Sequence, residues 1–171
     1  MPTTTFEKLP AEKQERINAA LLKEFSAYSL AEAQVARIVD DAGISRGSFY
    51  KYFNDISDAY RYEFQQVMSE LHAPFKRGAS ATDVDEIIAM VDQFVSESNN
   101  SEYREFMRLY YQRNQYLLPT DISPRTPTEL EWASSVLIHQ TIKEILLNPD
   151  HQEQYLGRLQ RVLQQLFKKE G

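Results

Sequence analysis

Apolar residues return every three or four positions along almost the whole of this chain, and no segment alternates apolar and polar residues for long. That spacing places one apolar stripe on a helix and is incompatible with a half-buried strand. Only five glycines interrupt 171 residues. The predicted fold class is therefore all-α, with an N-terminal three-helix domain of helix-turn-helix type and a C-terminal helical bundle.

The stripes and their punctuation predict the elements. Pro10 followed by Glu12 and Glu15 suits a helix start, because proline presets the first-turn φ and acids favour the positive end of the helix dipole. Ile17, Ala20, Leu21, Glu24 and Phe25 trace the face of a helix ending near Tyr28. Val35, Ile38 and Val39 give a short second helix stopped at Gly43, and Ser45 is an N-cap for a third that ends near Tyr52. A fourth helix is expected from about Ser57 to His72. The small-residue stretch 73–81, with its Pro and Gly, reads as a boundary. A fifth helix follows a cap at Thr82 or Asp83, and a sixth, capped by Ser101, carries Tyr103, Phe106, Met107, Tyr110, Asn114 and Leu117. Three prolines make 118–128 a loop or a broken helix. Helices at about Thr128–Leu147 and His151–Lys168 complete the chain.

Composition narrows the functions. The chain has no cysteine, which excludes disulfides, thiolate catalysis and cysteine zinc sites and fits a reducing cytoplasm. The first ten residues lack a basic-then-apolar signal pattern, and no apolar run is long enough to span a bilayer, so neither export nor a membrane partner is expected. His72, His139 and His151 lack ligand spacing, so no metal is expected. Asp40 and Asp41 point about 100° apart on a helix and do not make a catalytic pair. Without a nucleophile–base pair, a phosphate loop or a cofactor motif, no enzyme activity and no cofactor are expected.

The formal charge is −6, which opposes nucleic-acid binding unless it is unevenly spread. It is uneven: residues 1–62 hold eight Lys/Arg against nine Asp/Glu, and residues 63–171 hold eleven against sixteen. Between Gly43 and Phe53 the only charges are Arg46 and Lys51, although Asp40, Asp41, Asp55 and Asp58 bracket the stretch. A helix, a glycine turn and a second short helix form the helix-turn-helix pattern, whose second helix offers its N-terminal half to base edges. Here Ser45, Arg46, Gly47 and Ser48 begin that helix, with Lys51 one turn on. Gly47 lets backbone approach DNA closely, Tyr50 and Tyr52 offer phenolic donors, and Phe49 and Phe53 turn inward. Solvated surface charge is the plainer alternative for Arg46 and Lys51.

Residues from about Pro10 to Tyr62 resemble the DNA-binding domain of the TetR family of bacterial transcriptional repressors. The resemblance is carried by "RINAALLKEF", by "VARIVDDAGIS" and by the recognition-helix segment "RGSFYKYF". It implies that Arg46 and Gly47 meet bases and that Ser48, Tyr50 and Tyr52 meet phosphate or base edges. It also implies that Gln34 touches a backbone phosphate. Four positions depart from the pattern: Ser29 replaces a usual Gly, Val39 a usual Ala, Asp41 puts an acid near the turn, and Ile56 replaces a phosphate-holding Lys.

The expected organisation is a DNA-binding domain over 1–56 and a regulatory and dimerisation domain over 57–171, connected by the helix at 57–72. The expected function is that of a cytoplasmic, dimeric regulator, a repressor released from a palindromic operator by a small molecule. The alternative is a helical interaction protein of the same fold that has lost operator binding. The family places an effector pocket near residues 103–118. Phe64, Phe94, Tyr103, Phe106, Tyr110, Tyr111 and Trp132 are the candidate lining for an apolar, aromatic or cationic effector, with Arg108, Gln112 and Asn114 as polar groups. A plain amphipathic core is the competing reading. Residues 119–127 would gate such a pocket. Homodimerisation is expected through the last two helices, at Val136, Leu159, Val162, Leu163, Leu166 and Phe167.

Overall fold

The computed structural model describes residues 2–73, 83–117 and 126–168. Among these residues every regular element is helical: α1 (Thr4–Glu7), α2 (Ala11–Ala27), α3 (Val35–Ala42), α4 (Arg46–Tyr52), α5 (Ile56–Leu71), α6 (Val84–Asn100), α7 (Arg104–Leu109), α8 (Glu129–Leu147) and α9 (Gln152–Phe167). A π-helical turn, Tyr110–Asn114, continues α7, and a 3-10 turn, Pro149–His151, precedes α9. None of these helices is long and apolar enough to cross a membrane.

The chain divides into two compact units. One comprises Met1–Glu70 with Tyr103–Leu118, the other Leu71–Glu102 with Pro119–Gly171. The first unit therefore runs past the boundary expected at 56/57 and takes in most of α5 and all of α7. Its reason is apolar: Phe106 and Met107 on α7 are fully buried, and the Phe106 ring stacks on Tyr60 of α5 at 5.5 Å. Tyr60 in turn meets Phe25 of α2 edge-on at 4.9 Å. Ile17, Leu21, Phe25, Ile38, Phe49 and Phe53 are all fully buried here, so the inward faces read from the spacing form one core. Burying a side chain of this size contributes roughly 1.5–3 kcal/mol, which is what holds the short helices α3 and α4 in place.

The caps follow the sequence closely. Ser45 accepts from the Ser48 N–H, Asp83 from the Asp85 N–H, and Thr128 forms a full capping box with Glu131. Gly43 ends α3 at φ 63°, a left-handed conformation that glycine adopts without strain. Ser29 needs no such freedom: no non-glycine residue among those described has positive φ. Its hydroxyl instead donates to Glu32 Oε2 at 2.6 Å. Ser101 does not cap the sixth helix; it closes α6, and α7 begins three residues later.

In the second unit α6, α8 and α9 pack on one another. Leu159 and Leu163 of α9 are buried there, with Val91, Phe94 and Val95 of α6 and Ile142, Ile145 and Leu146 of α8. The expectation that Leu159 and Leu163 face a partner is thus corrected: they fill the chain's own three-helix core. Val162, Leu166 and Phe167 stay half-buried and Val136 is exposed. The expected boundary at 73–81, apart from Ala73, the cap at Thr82 and most of the gate at 119–127 lie outside the described residues.

Candidate nucleic-acid interface

The site starts from a rigid platform. Glu24 on α2 is almost fully buried and takes a two-pronged hydrogen bond from Arg37 of α3, Nε to Oε2 at 2.8 Å and Nη2 to Oε1 at 2.5 Å. The Gln34 N–H donates to the same Oε1 at 2.7 Å, so one carboxylate both fixes α3 and satisfies the start of that helix. The Arg37 guanidinium lies 3.8 Å from the Tyr28 ring centroid. Hydrogen bonding to Glu24 holds the Arg37 pKa above its ordinary value.

On this platform α4 buries Phe49 and Tyr52 and presents its outer face to solvent. Phe49 packs against Phe53 at 5.4 Å. Ser45, Arg46, Gly47, Tyr50 and Lys51 are exposed and Ser48 is half-buried. Arg46 Nη2 donates to Tyr50 Oη at 3.4 Å, which aligns the two long side chains on one outward face. Gln34 is exposed at the N-cap of α3. A methyl group added at Gly47 would meet only Ser45 Oγ, at 3.9 Å, so no crowding within the chain calls for glycine.

Tyr52 is a correction. Its ring is buried beside Phe6 at 5.9 Å, so it packs the base of α4 and is not an exposed donor. The spacing that turns Phe49 and Phe53 inward puts Tyr52 beside them once α1 supplies Phe6 as a neighbour. Sequence reasoning missed that neighbour, because a four-residue helix is too short to show a period.

Most of the acids that bracket α4 are engaged by the fold. Lys23 Nζ donates to Asp41 Oδ1 at 2.7 Å, and that hydrogen bond raises the Lys23 pKa. Asp55 Oδ1 accepts the Asp58 N–H at 2.6 Å at the start of α5. Asp58, nearly fully buried, accepts from both the N–H and the side-chain amide of Asn54 at 3.1 Å. Asp40 remains exposed.

The rings proposed for an effector are divided between the two units. Phe64, Phe106 and Tyr110 lie together in the first unit: Phe64 is 4.6 Å from Tyr110 and 6.5 Å from Phe106, and Tyr111 adjoins Tyr110 at 4.9 Å. Burial pushes the Tyr110 and Tyr111 pKa values up, so these phenols stay neutral. Tyr103 is half-buried at the start of α7, and Arg108 turns to Glu105 Oε2 at 2.8 Å and Gln112 Oε1 at 3.0 Å. Phe94 and Trp132 belong to the other unit, where Phe94 sits in the core against His72 and Trp132 is 61% exposed. Trp132 borders an open hollow with residues 126–129.

Asn114 is likewise a structural group and not a polar point in an open pocket. It is fully buried, accepts the Leu30 N–H at 3.0 Å and donates to Tyr60 Oη at 3.1 Å. One side chain thus ties the π turn to α5 and to the segment between α2 and α3. Burial pushes the Tyr60 pKa well up, which keeps its oxygen in the neutral phenol form.

A short solvent-facing helix behind a glycine turn, braced by two helices, defines a helix-turn-helix domain. Residues 17–58 match the family model for bacterial regulatory proteins of the tetR family, in agreement with the resemblance drawn from the sequence. Over its whole length the chain is similar in fold to a TetR family transcriptional regulator from Chloroflexus aurantiacus J-10-FL. The TM-score is 0.60 at 20% identity, covering 99% of this chain and 98% of that one. No curated protein matches the chain.

Proposed function

We propose that the chain is a cytoplasmic, homodimeric transcriptional regulator that binds a palindromic operator through α4, represses there, and is released by a small molecule. One observation carries this reading: α4 exposes Arg46, Gly47, Tyr50 and Lys51 together, with no acid between residues 43 and 53. Arginine and lysine on the outer face of such a helix meet guanine edges and phosphates, and tyrosine donates to phosphate. Glycine inside a helix costs about 0.5–1 kcal/mol relative to alanine. Here that cost has no return inside the protein, and a close approach of DNA backbone supplies one.

The acidic balance weighs less against DNA than the net charge suggests, because Asp41, Asp55 and Asp58 are bound to other groups of the same unit. One α4 reads only a few base pairs, so operator specificity requires two copies on related half-sites. Of the residues expected at a partner, Val136, Val162, Leu166 and Phe167 are left for pairing. An effector acting on the Phe64, Phe106 and Tyr110 cluster would reach the DNA-binding helices through Asn114 and Tyr60. It would be apolar, aromatic or cationic.

The test is selection of duplexes from a random-sequence pool by the purified chain. Enrichment of an inverted repeat whose half-sites lie one or two helical turns apart is expected. A pool that stays random contradicts the reading and favours a helical interaction protein.

A further inference from the structure

Residues 2–9 lie ahead of the segment that matches the family model, and they hold the far end of α4. A helix leaves its last carbonyls without partners inside the helix. In α4 two of them are taken by one residue: the Thr3 N–H donates to Tyr52 O at 3.0 Å, and Thr3 Oγ1 donates to Lys51 O at 2.6 Å. Phe6, 2% exposed, anchors the same segment with its ring 5.9 Å from Tyr52, 5.2 Å from Phe53 and 5.2 Å from Tyr62 of α5. Gln14 Nε2 on α2 then gathers the carbonyls of Phe6, Glu7 and Leu9 at 3.0–3.3 Å. The segment is therefore fastened to α2, α4 and α5 at once.

We propose that residues 3–9 are a clamp that closes the C-terminal end of α4, with Thr3 as a positioning residue for the DNA-reading helix. Seven residues are too few for α4 to hold its last turn by helix propensity alone. The Thr3 bonds keep that turn, and with it Lys51, from fraying. The structural part needs no DNA; the consequence for binding rests on the proposed function.

Thr3 has φ −76°, within the range of proline, so Thr3→Pro removes both donors, and its ring, standing where the amide hydrogen met Tyr52 O, pushes the segment off the end of α4. Amide hydrogen exchange reads the helix end directly. Thr3→Pro is expected to speed exchange at Tyr50–Phe53 about tenfold and Thr3→Val about threefold, with Val39–Ala42 unchanged and Thr3→Ser close to wild type. Affinity for the duplex most enriched by the wild-type chain is expected to fall in the same order. Unchanged exchange at 50–53 in Thr3→Val and Thr3→Pro overturns the clamp whatever happens with DNA. Faster exchange with undiminished affinity overturns the positioning role. If the wild type enriches no duplex, the proposed function fails, and faster exchange still upholds the clamp.

Discussion

On the proposed function, Gly47 serves the approach of DNA and not the fold. A Cβ there would make only an ordinary contact, with Ser45 Oγ at 3.9 Å. Gly47→Ala is therefore expected to leave stability unchanged or raise it by up to about 1 kcal/mol, because alanine loses less backbone freedom in a helix. The same methyl group is expected to weaken DNA binding at least tenfold by holding the backbone off the duplex. Thermal unfolding and duplex titration on one sample give both signs; loss of stability, or unchanged affinity, contradicts the assignment. On the proposed function, Arg46 and Lys51 are expected to divide the remaining work. Arg46→Ala is expected to cost about 1–3 kcal/mol and to relax preference at one base position. Lys51→Ala is expected to weaken all sequences alike and to flatten the salt dependence by about one counterion. Competition with single-base variants of the selected duplex distinguishes them, and an equal loss on every variant for both mutants contradicts the division.

The helices were legible in proportion to how many turns they show. α2, α3 and α9 announced themselves by their stripes and α4 by its cap: Ser45 is a cap in sequence and in structure. α1 escaped because one turn has no period, and with it went the reason for the burial of Tyr52. α7 was misread at its end for a different reason. A continuous 3.6-residue stripe carries Asn114 and Leu117 inward together, but the π turn at Tyr110–Asn114 adds a residue and rotates the face that follows. Asn114 is buried and Leu117 is 55% exposed. Nothing in a single sequence marks that insertion. Its energetic consequence is specific, since Asn114→Ala leaves the Leu30 N–H and the Tyr60 hydroxyl without their partner. The expected loss is about 2–3 kcal/mol, measured by urea unfolding with circular dichroism. A change below about 0.5 kcal/mol would show that water replaces the amide, in contradiction to a sealed joint.

At the scale of the whole molecule, the first unit was legible where a helix-turn-helix constrains nearly every position, from Ile17 through Phe53. The second was legible only as helices. The width of the α9 stripe suggested a surface shared with a partner, yet Leu159 and Leu163 are consumed by α6 and α8, because three helices packed together cover a wider face than two. Of the residues expected to face a partner copy, Val136, Val162, Leu166 and Phe167 lie outside that buried core. The dimer and the DNA reading stand together, since a palindrome demands two copies of α4. The most direct measurement is therefore titration of the enriched duplex and a scrambled duplex of equal length at two salt concentrations, with the mass of the complex determined. The account predicts two protomers per duplex, binding at least about a thousandfold tighter to the enriched sequence, and a log–log salt slope of several counterions. Equal affinity for the two duplexes, or none for either, would contradict it.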